Sequence, residues 1–183
     1  MKIISGFLKG RIIKNQNIEG TRPTMDRIKE SLFAIIQNDI QDSIVLDLFA
    51  GSGNLGIEAI SNGSKLCYFN DINKECIKAI NTNIKTFNIS DNSVVINKSW
   101  LDCLKFLSNK KTIFDIIFLD PPYKMDCLNE VIDVILKEDL LNENGLIVCE
   151  VSNNYLNKFD KLEEIKSRKY GDKFVIIYRN KNK

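Results

Sequence analysis

Apolar positions along the chain change period twice. Between Lys2 and Lys14 two short apolar runs, Ile3-Ile4 and Ile12-Ile13, are separated by Gly6 and Gly10, a pattern that predicts a strand, a turn and a returning strand. After a loop, Thr24 stands where it can cap a helix whose apolar positions Ile28, Leu32, Ile35 and Ile36 recur at helical spacing, ending near Ile40. From Ile44 onward, strand-like and helix-like segments alternate. The buried run Ile44-Val45-Leu46 leads through the Gly-rich turn Gly51 to Gly56 into a helix that extends through Ile60. Leu66 to Phe69 is a second strand, Lys74 to Phe87 a long helix, Val94 to Ile96 a third strand and Leu101 to Leu107 a helix. Phe114 to Leu119 is a strongly apolar fourth strand, followed by a helix through Leu128, Ile132 and Ile135 and a fifth strand at Leu146 to Val151. Leu162 to Arg168 and Lys173 to Tyr178 flank Tyr170-Gly171-Asp172 and predict an antiparallel hairpin. Alternation closed by a hairpin implies a doubly wound α/β sheet with one reversed edge strand.

At 183 residues and 44% apolar, the chain is sized for a single core. One domain, residues 23–183, is expected behind an N-terminal arm, residues 1–22. No apolar run reaches the length of a membrane span and the first ten residues do not resemble a signal peptide, so a cytoplasmic protein is expected. The five cysteines are scattered without a CxxC pair, which points to buried thiols in a reducing compartment and to neither a disulfide framework nor a zinc site. Histidine is absent altogether, so any proton transfer must run without imidazole and no metal is expected. Net charge is +2, but residues 1–29 carry seven Lys/Arg against two Asp/Glu, and residues 166–183 carry seven against one. Basic ends around an acidic middle fit an enzyme that holds a polyanion at its periphery, although ordinary solvated termini have the same composition.

The turn Asp47-Leu48-Phe49-Ala50-Gly51-Ser52-Gly53-Asn54-Leu55-Gly56 follows a buried strand and opens a helix, where open α/β sheets bind nucleotide-like ligands. Its last six residues satisfy GxGxxG, which by itself suits a dinucleotide. Asp47 argues otherwise. An acid ahead of the turn repels a pyrophosphate but favours S-adenosylmethionine, whose ammonium and sulfonium are cationic and which has no phosphate. Asp71, at the end of the second strand, can accept both ribose hydroxyls of either ligand, or serve as a strand-end or helix-cap residue before Asn73. Ser99 and Trp100, beyond the third strand, are placed to meet an adenine, and Trp100 is equally suited to core packing.

The most specific signal is Asp120-Pro121-Pro122-Tyr123 directly after a hydrophobic strand. Two consecutive prolines remove two amide donors and fix both φ angles, leaving a rigid rack of acceptors. An exocyclic amino group on a base is a poor nucleophile because its lone pair is delocalised into the ring. Hydrogen bonds from its protons to Asp120 and a prolyl carbonyl would localise that pair and aim it at a methyl group. Tyr123 would stack on the base once it is unstacked. A capped strand-to-helix turn is the alternative explanation of these four residues.

With these motifs in place, the chain resembles the RsmD family of bacterial 16S ribosomal RNA guanine-N(2)-methyltransferases along nearly its whole length. The segment Arg22-Pro23-Thr24-Met25-Asp26-Arg27-Ile28-Lys29-Glu30-Ser31-Leu32-Phe33 is similar to that family's own signature, and Gly10-Arg11 to the end of its hairpin. The resemblance implies a Rossmann-like fold of seven mostly parallel strands with a C-terminal antiparallel hairpin, S-adenosylmethionine as donor, and the 2-amino group of a guanine in 16S rRNA, free or in a partly assembled small subunit, as acceptor. It implies cofactor contacts from Asp47, Phe49, Ala50, Gly51, Ser52, Gly53, Asn54, Gly56, Asp71, Ile72, Ser99 and Trp100, and base contacts from Asp120, Pro121, Pro122 and Tyr123. Ser99-Trp100 departs from the family's usual acidic or amide residue followed by a small one. Lys9, Arg11, Arg22 and Arg27 become candidates for rRNA phosphate contacts, with Arg22 and Thr24 alternatively closing over the methionine carboxylate or serving only the helix start. A monomer is expected. The remaining alternatives are an adenine amino-methyltransferase acting on DNA or RNA and an NAD-dependent oxidoreductase.

Overall fold

The computed structural model describes residues 1–15, 23–122, 125, 127–151 and 156–181. Seven strands form one sheet: β1 (Ile44–Asp47), β2 (Leu66–Asn70), β3 (Ser93–Ile96), β4 (Phe114–Leu119), β5 (Leu141–Val151), β6 (Leu162–Tyr170) and β7 (Lys173–Asn180). Their order across the sheet is β3-β2-β1-β4-β5-β7-β6. The first five pair in parallel, and β7 runs antiparallel to both β5 and β6. The reversed strand is therefore not the edge strand that the chain order suggests. It inserts between β5 and β6, because Val175, Ile176, Ile177 and Tyr178 are apolar on both faces whereas β6 is exposed along most of its length. A polar strand is tolerated at an edge and an apolar one is stabilised inside.

Helices cover both faces. α1 (Pro23–Ile35), α2 (Gln37–Ile40), α3 (Asn54–Ser61) and α4 (Lys74–Phe87) pack on one side, where Ile28, Leu32, Ile36, Ile57, Ile80 and Phe87 meet Val45, Phe69, Ile116 and Phe118. α5 (Trp100–Asn109) and α6 (Leu128–Lys137) cover the other, with Leu104, Leu107, Ile132 and Ile135 against Leu46, Ile117, Leu119 and Ile147. Alternate residues of β1 and β4 thus enter separate cores, and each large side chain buried this way contributes about 1.5–3 kcal/mol. The helix expected to run to Ile40 breaks at Ile36 and restarts as α2, which keeps both Ile36 and Ile40 fully buried. α1 starts at Pro23, so Thr24 lies inside its first turn and not at its cap. Proline suits that first position because its missing N–H has no partner there in any helix.

The N-terminal arm forms the hairpin that its pattern predicts and packs it against α3. Lys2 and Ile12 form a bridge flanked by the Ile3 amide on the Arg11 carbonyl and the Ile13 amide on the Met1 carbonyl, while the Ile4 and Ser5 amides donate to the Glu58 carboxylate of α3. The Phe7 amide reaches the Ser61 carbonyl and the Leu8 amide the Ser61 hydroxyl. Ile3, Leu8 and Ile13 are buried in the α1–α4 core, so the arm is packed into the domain; the boundary assigned at residue 22 falls outside the described residues. Its clasp is a buried ion pair. Lys29 of α1 lies 2.8 Å from Glu58, both essentially without solvent, and the Lys29 ammonium also donates to the Lys2 carbonyl and to Asn54 Oδ1.

Cys67, Cys103 and Cys149 are buried, as expected of thiols in a core, whereas Cys76 and Cys127 are only half-buried. Among the described residues no helix is long and apolar enough to cross a membrane.

Lys29→Met removes one partner of a desolvated pair together with the two hydrogen bonds that its ammonium donates, and is expected to destabilise the fold by about 3–5 kcal/mol in urea unfolding. A loss below about 1 kcal/mol would show that the clasp does not hold the arm.

Candidate active site

Parallel strands place their carboxyl ends on one rim, and the order reverses between β1 and β4, which opens a crevice there. Three acids converge on it. Asp47 ends β1, Asp71 follows β2, and Asp120 follows β4. Asp47 is buried and accepts the Gly56 amide at 2.9 Å, which ties the end of the strand to the start of α3. Burial pushes its carboxyl up to about 7; the Gly56 hydrogen bond opposes this, and the negative charges of Asp120 and Asp71 add to it. Burial also raises the Asp120 carboxyl, against the downward pull of the Lys173 ammonium.

The Gly-rich turn between these acids is held open by its own geometry. Gly51 has φ +55°, and a side chain there would project into free space, the kind of gap that a ligand fills. Gly56 serves the opposite need: a Cβ would lie 2.3 Å from the Phe69 ring, so only glycine lets α3 sit this close to β2. Asp71 accepts the Gly51 amide at 2.9 Å through one carboxylate oxygen and the Asn73 amide at 2.8 Å through the other. The cap of α4 is Asn73, whose side chain accepts from the Glu75 amide, so Asp71 is not the capping residue. Ser52 Oγ is buried with no hydrogen-bond partner among the described residues, an unusual cost unless a ligand satisfies it.

These features fit S-adenosylmethionine. A cationic ligand relieves the repulsion among three carboxylates, an open cradle receives it, and an orphaned hydroxyl awaits a partner. Asp47, just ahead of the turn, would repel the pyrophosphate of NAD, whereas Asp71 suits the ribose of either ligand.

Of the other expected contacts, Phe49 and Ala50 pack beside the turn, and Asn54 at the start of α3 is engaged by Lys29. Ile72 is 69% exposed on the rim, available to an apolar ring face. Ser99 caps α5, accepting from the Asp102 amide and donating to its carboxylate. Trp100 begins α5 half-buried against the α5–α6 core. Beyond Asp120 the Pro122 carbonyl accepts the Met125 amide at 2.8 Å, while Tyr123 lies outside the described residues.

Of the four basic candidates, the three that are described lie apart. Arg11 donates to the Thr86 carbonyl at 2.9 Å and stacks over Phe87, at the end of α4 and hence at the rim opposite Asp120. Lys9 is exposed on the same arm tip, near the end of α3. Arg27 is exposed on α1, two residues before the buried Lys29 and so on the opposite face of that helix. Arg22 lies outside the described residues.

Several structural partners carry no sequence signal. Asn70, buried at the end of β2, binds the Leu48 and Lys98 carbonyls and so fixes three strand ends; Asn83 of α4 bridges Lys14 to the Ser52 carbonyl. Glu150 and Lys173 form an ion pair near Asp120, with side chains 14% and 16% exposed. An isolated Asn or Glu in a strand has no spacing that reveals such work.

Residues 1–179 match the protein family described as Conserved hypothetical protein 95. The chain is 40% identical over 150 residues to the putative rRNA methyltransferase YlbH of Bacillus subtilis, covering 82% of each. It is 39% identical over 151 residues to ribosomal RNA small subunit methyltransferase D of Haemophilus influenzae, covering 82% of this chain and 78% of that one. Among solved structures, the putative methyltransferase yhhF from Escherichia coli superposes with a TM-score of 0.87 at 28% identity, over 100% of this chain and 99% of that one. A putative methyltransferase complexed with SAH shares the fold, with a TM-score of 0.72 at 16% identity over 87% of this chain and 50% of its own. A Gly-rich turn ringed by acids, an Asp-Pro-Pro turn across the crevice and this near full-length match agree: the chain belongs to the RsmD family of methyltransferases.

Proposed function

We propose that this protein transfers a methyl group from S-adenosylmethionine to the exocyclic 2-amino group of a guanine in the 16S rRNA of the small ribosomal subunit. The observation that carries the reading is the position of Asp120-Pro121-Pro122 at the end of β4, across the β1/β4 crevice from Asp47 and Asp71. Donor-binding acids and amino-group acceptor share one rim. The names of the relatives, one a putative rRNA methyltransferase and one a ribosomal RNA small subunit methyltransferase, support the substrate class.

When bound, the donor supplies an electrophilic methyl group on a cationic sulfur. Asp47, Ser52 and the amides of the Gly-rich turn are positioned to hold its methionine part, and Asp71 its ribose. Asp120 accepts one amino proton of the base and the Pro121 carbonyl the other, since the Pro122 carbonyl is already taken by Met125. Both bonds draw the nitrogen toward tetrahedral geometry and expose its lone pair. A carboxylate raised by burial is also a stronger base, so Asp120 is suited to take the proton released on transfer. Tyr123 is the proposed stacking partner of the unstacked base, an interaction worth about 1–3 kcal/mol. Arg27, an exposed cation of α1, is the proposed phosphate contact.

Incubating the protein with labelled donor and small subunits, naked 16S rRNA or DNA tests the reading: label on a guanine amino group of rRNA is expected, and label confined to adenine would overturn it. Asp120→Ala should lower turnover by about 100-fold or more, within the usual range for a general acid or base, while S-adenosylhomocysteine binds almost unchanged in calorimetry. Asp71→Ala should instead weaken that binding; equal binding losses in both variants would refute this division of roles.

Asp47 also predicts a pH dependence. An acid raised from 3.8 to about 7 binds more protons folded than unfolded across that window, so ligand-free stability falls as pH rises through it. Affinity for the cationic donor should rise over the upper part of the window as Asp47 ionises, with proton release on binding below pH 7. Asp47→Asn, which can keep the Gly56 hydrogen bond, should flatten both slopes in thermal melts and calorimetry; unchanged slopes would exclude Asp47 as the source.

A further inference from the structure

Asp120, Glu150 and Lys173 lie in a row across three neighbouring strands. β4 pairs with β5 so that Leu119 faces Cys149, which sets Asp120 beside Glu150 at the next step, about one strand spacing of 4.8 Å away. β7 adds to β5 with Phe174 opposite Val151, so Lys173 starts β7 at the same rim. All three point to one face of the sheet. Phe118 and Val148, two residues before Asp120 and Glu150, and Val175, two after Lys173, belong to the core on the α1 side. Lys173 pairs with Glu150, and its charge is felt at Asp120. Two largely desolvated charges beside a reacting group are costly to keep unless they do something there.

We propose that Glu150 and Lys173 read the Watson–Crick edge of the target guanine, with Glu150 accepting its N1–H and Lys173 donating to its O6 while Asp120 holds the 2-amino group. This rests on the guanine amino-methyltransferase reading above and deepens it. Along that edge guanine presents acceptor, donor, donor, in the order O6, N1, 2-amino. The row Lys173, Glu150, Asp120 offers donor, acceptor, acceptor in the same order. Adenine turns an unprotonated N1 toward the middle position and cytosine an unprotonated N3, so each would set a lone pair against the Glu150 carboxylate. A flipped base is read through hydrogen bonds to this edge, and a mismatch leaves buried groups unpaired. The Glu150 carboxylate has a second oxygen and the Lys173 ammonium further protons, so the ion pair can persist while each group serves the base. In this arrangement the pair also keeps the reader rigid before the substrate arrives.

The test uses 16S rRNA ligated with 2-aminopurine at the single mapped methylation site. That analogue keeps the 2-amino group but lacks O6 and the N1 proton. The wild-type protein should methylate guanine about 100-fold or more faster than 2-aminopurine under single-turnover conditions. In Glu150→Gln and Lys173→Met the preference should shrink to about tenfold or less, while S-adenosylhomocysteine affinity stays within about twofold. Equal wild-type rates on the two bases would overturn the proposal and leave the function intact. Variants that slow both bases equally, preserving the ratio, would also overturn it, reducing the pair to a structural role. No guanine product at all from wild-type protein would instead remove the function reading and this inference with it.

Discussion

Three carboxylates forced onto one rim are the constraint around which this molecule is organised. Parallel pairing of β2, β1 and β4 leaves Asp71, Asp47 and Asp120 no other place to be. In a half-dry crevice they are costly to keep ionised: burial above all raises the Asp47 carboxyl, and the charges of Asp120 and Asp71 add to it. The surrounding backbone offsets part of that cost by presenting amides from Gly56, Gly51 and Asn73. A cationic ligand offsets the rest, so affinity for a sulfonium donor is the counterpart of a deliberately strained electrostatic arrangement.

Holding these acids in place depends on elements that never touch them. Asn70 fixes three strand ends through its side-chain amide, and Asn83 ties the N-terminal arm to the Gly-rich turn. Lys29 and Glu58 join arm, α1 and α3 through one buried contact. Such a pair adds little net stability over an apolar substitute, yet it admits a single geometry, and geometry is what the turn beside it needs. The polar edge strand β6 and apolar β7 complete the frame by carrying Lys173 back to the rim that Asp120 occupies.

Most of the fold was legible because its signals are local. The apolar run Phe114 to Leu119, the amphipathic Lys74 to Phe87 and the glycines of the turn each depend on near neighbours, and their elements lie where the pattern puts them. What local patterns miss shares a cause. The arm keeps the hairpin that Ile3-Ile4 and Ile12-Ile13 suggest, but the amides of Ile4 and Ser5 meet an acceptor 54 and 53 residues away. The reversed strand looked like an edge strand because chain order was taken for spatial order. Arg11 rests its guanidinium on Thr86 and Phe87 at the rim opposite Asp120, a placement that no local pattern reveals.

By itself, the sequence determined the chemistry that depends on adjacent residues. A double proline after an acid makes an acceptor rack wherever it stands, and a Gly-rich turn after a buried Asp admits a cation in preference to a phosphate. Tertiary structure alone decided which side chains share a rim. Glu150 and Lys173 are 23 residues apart and unremarkable in sequence, and they meet near Asp120 only because β7 folds back between β5 and β6. Side-chain convergence across strands is set by register and strand order, and these follow from the burial of whole faces, which no short stretch of sequence encodes.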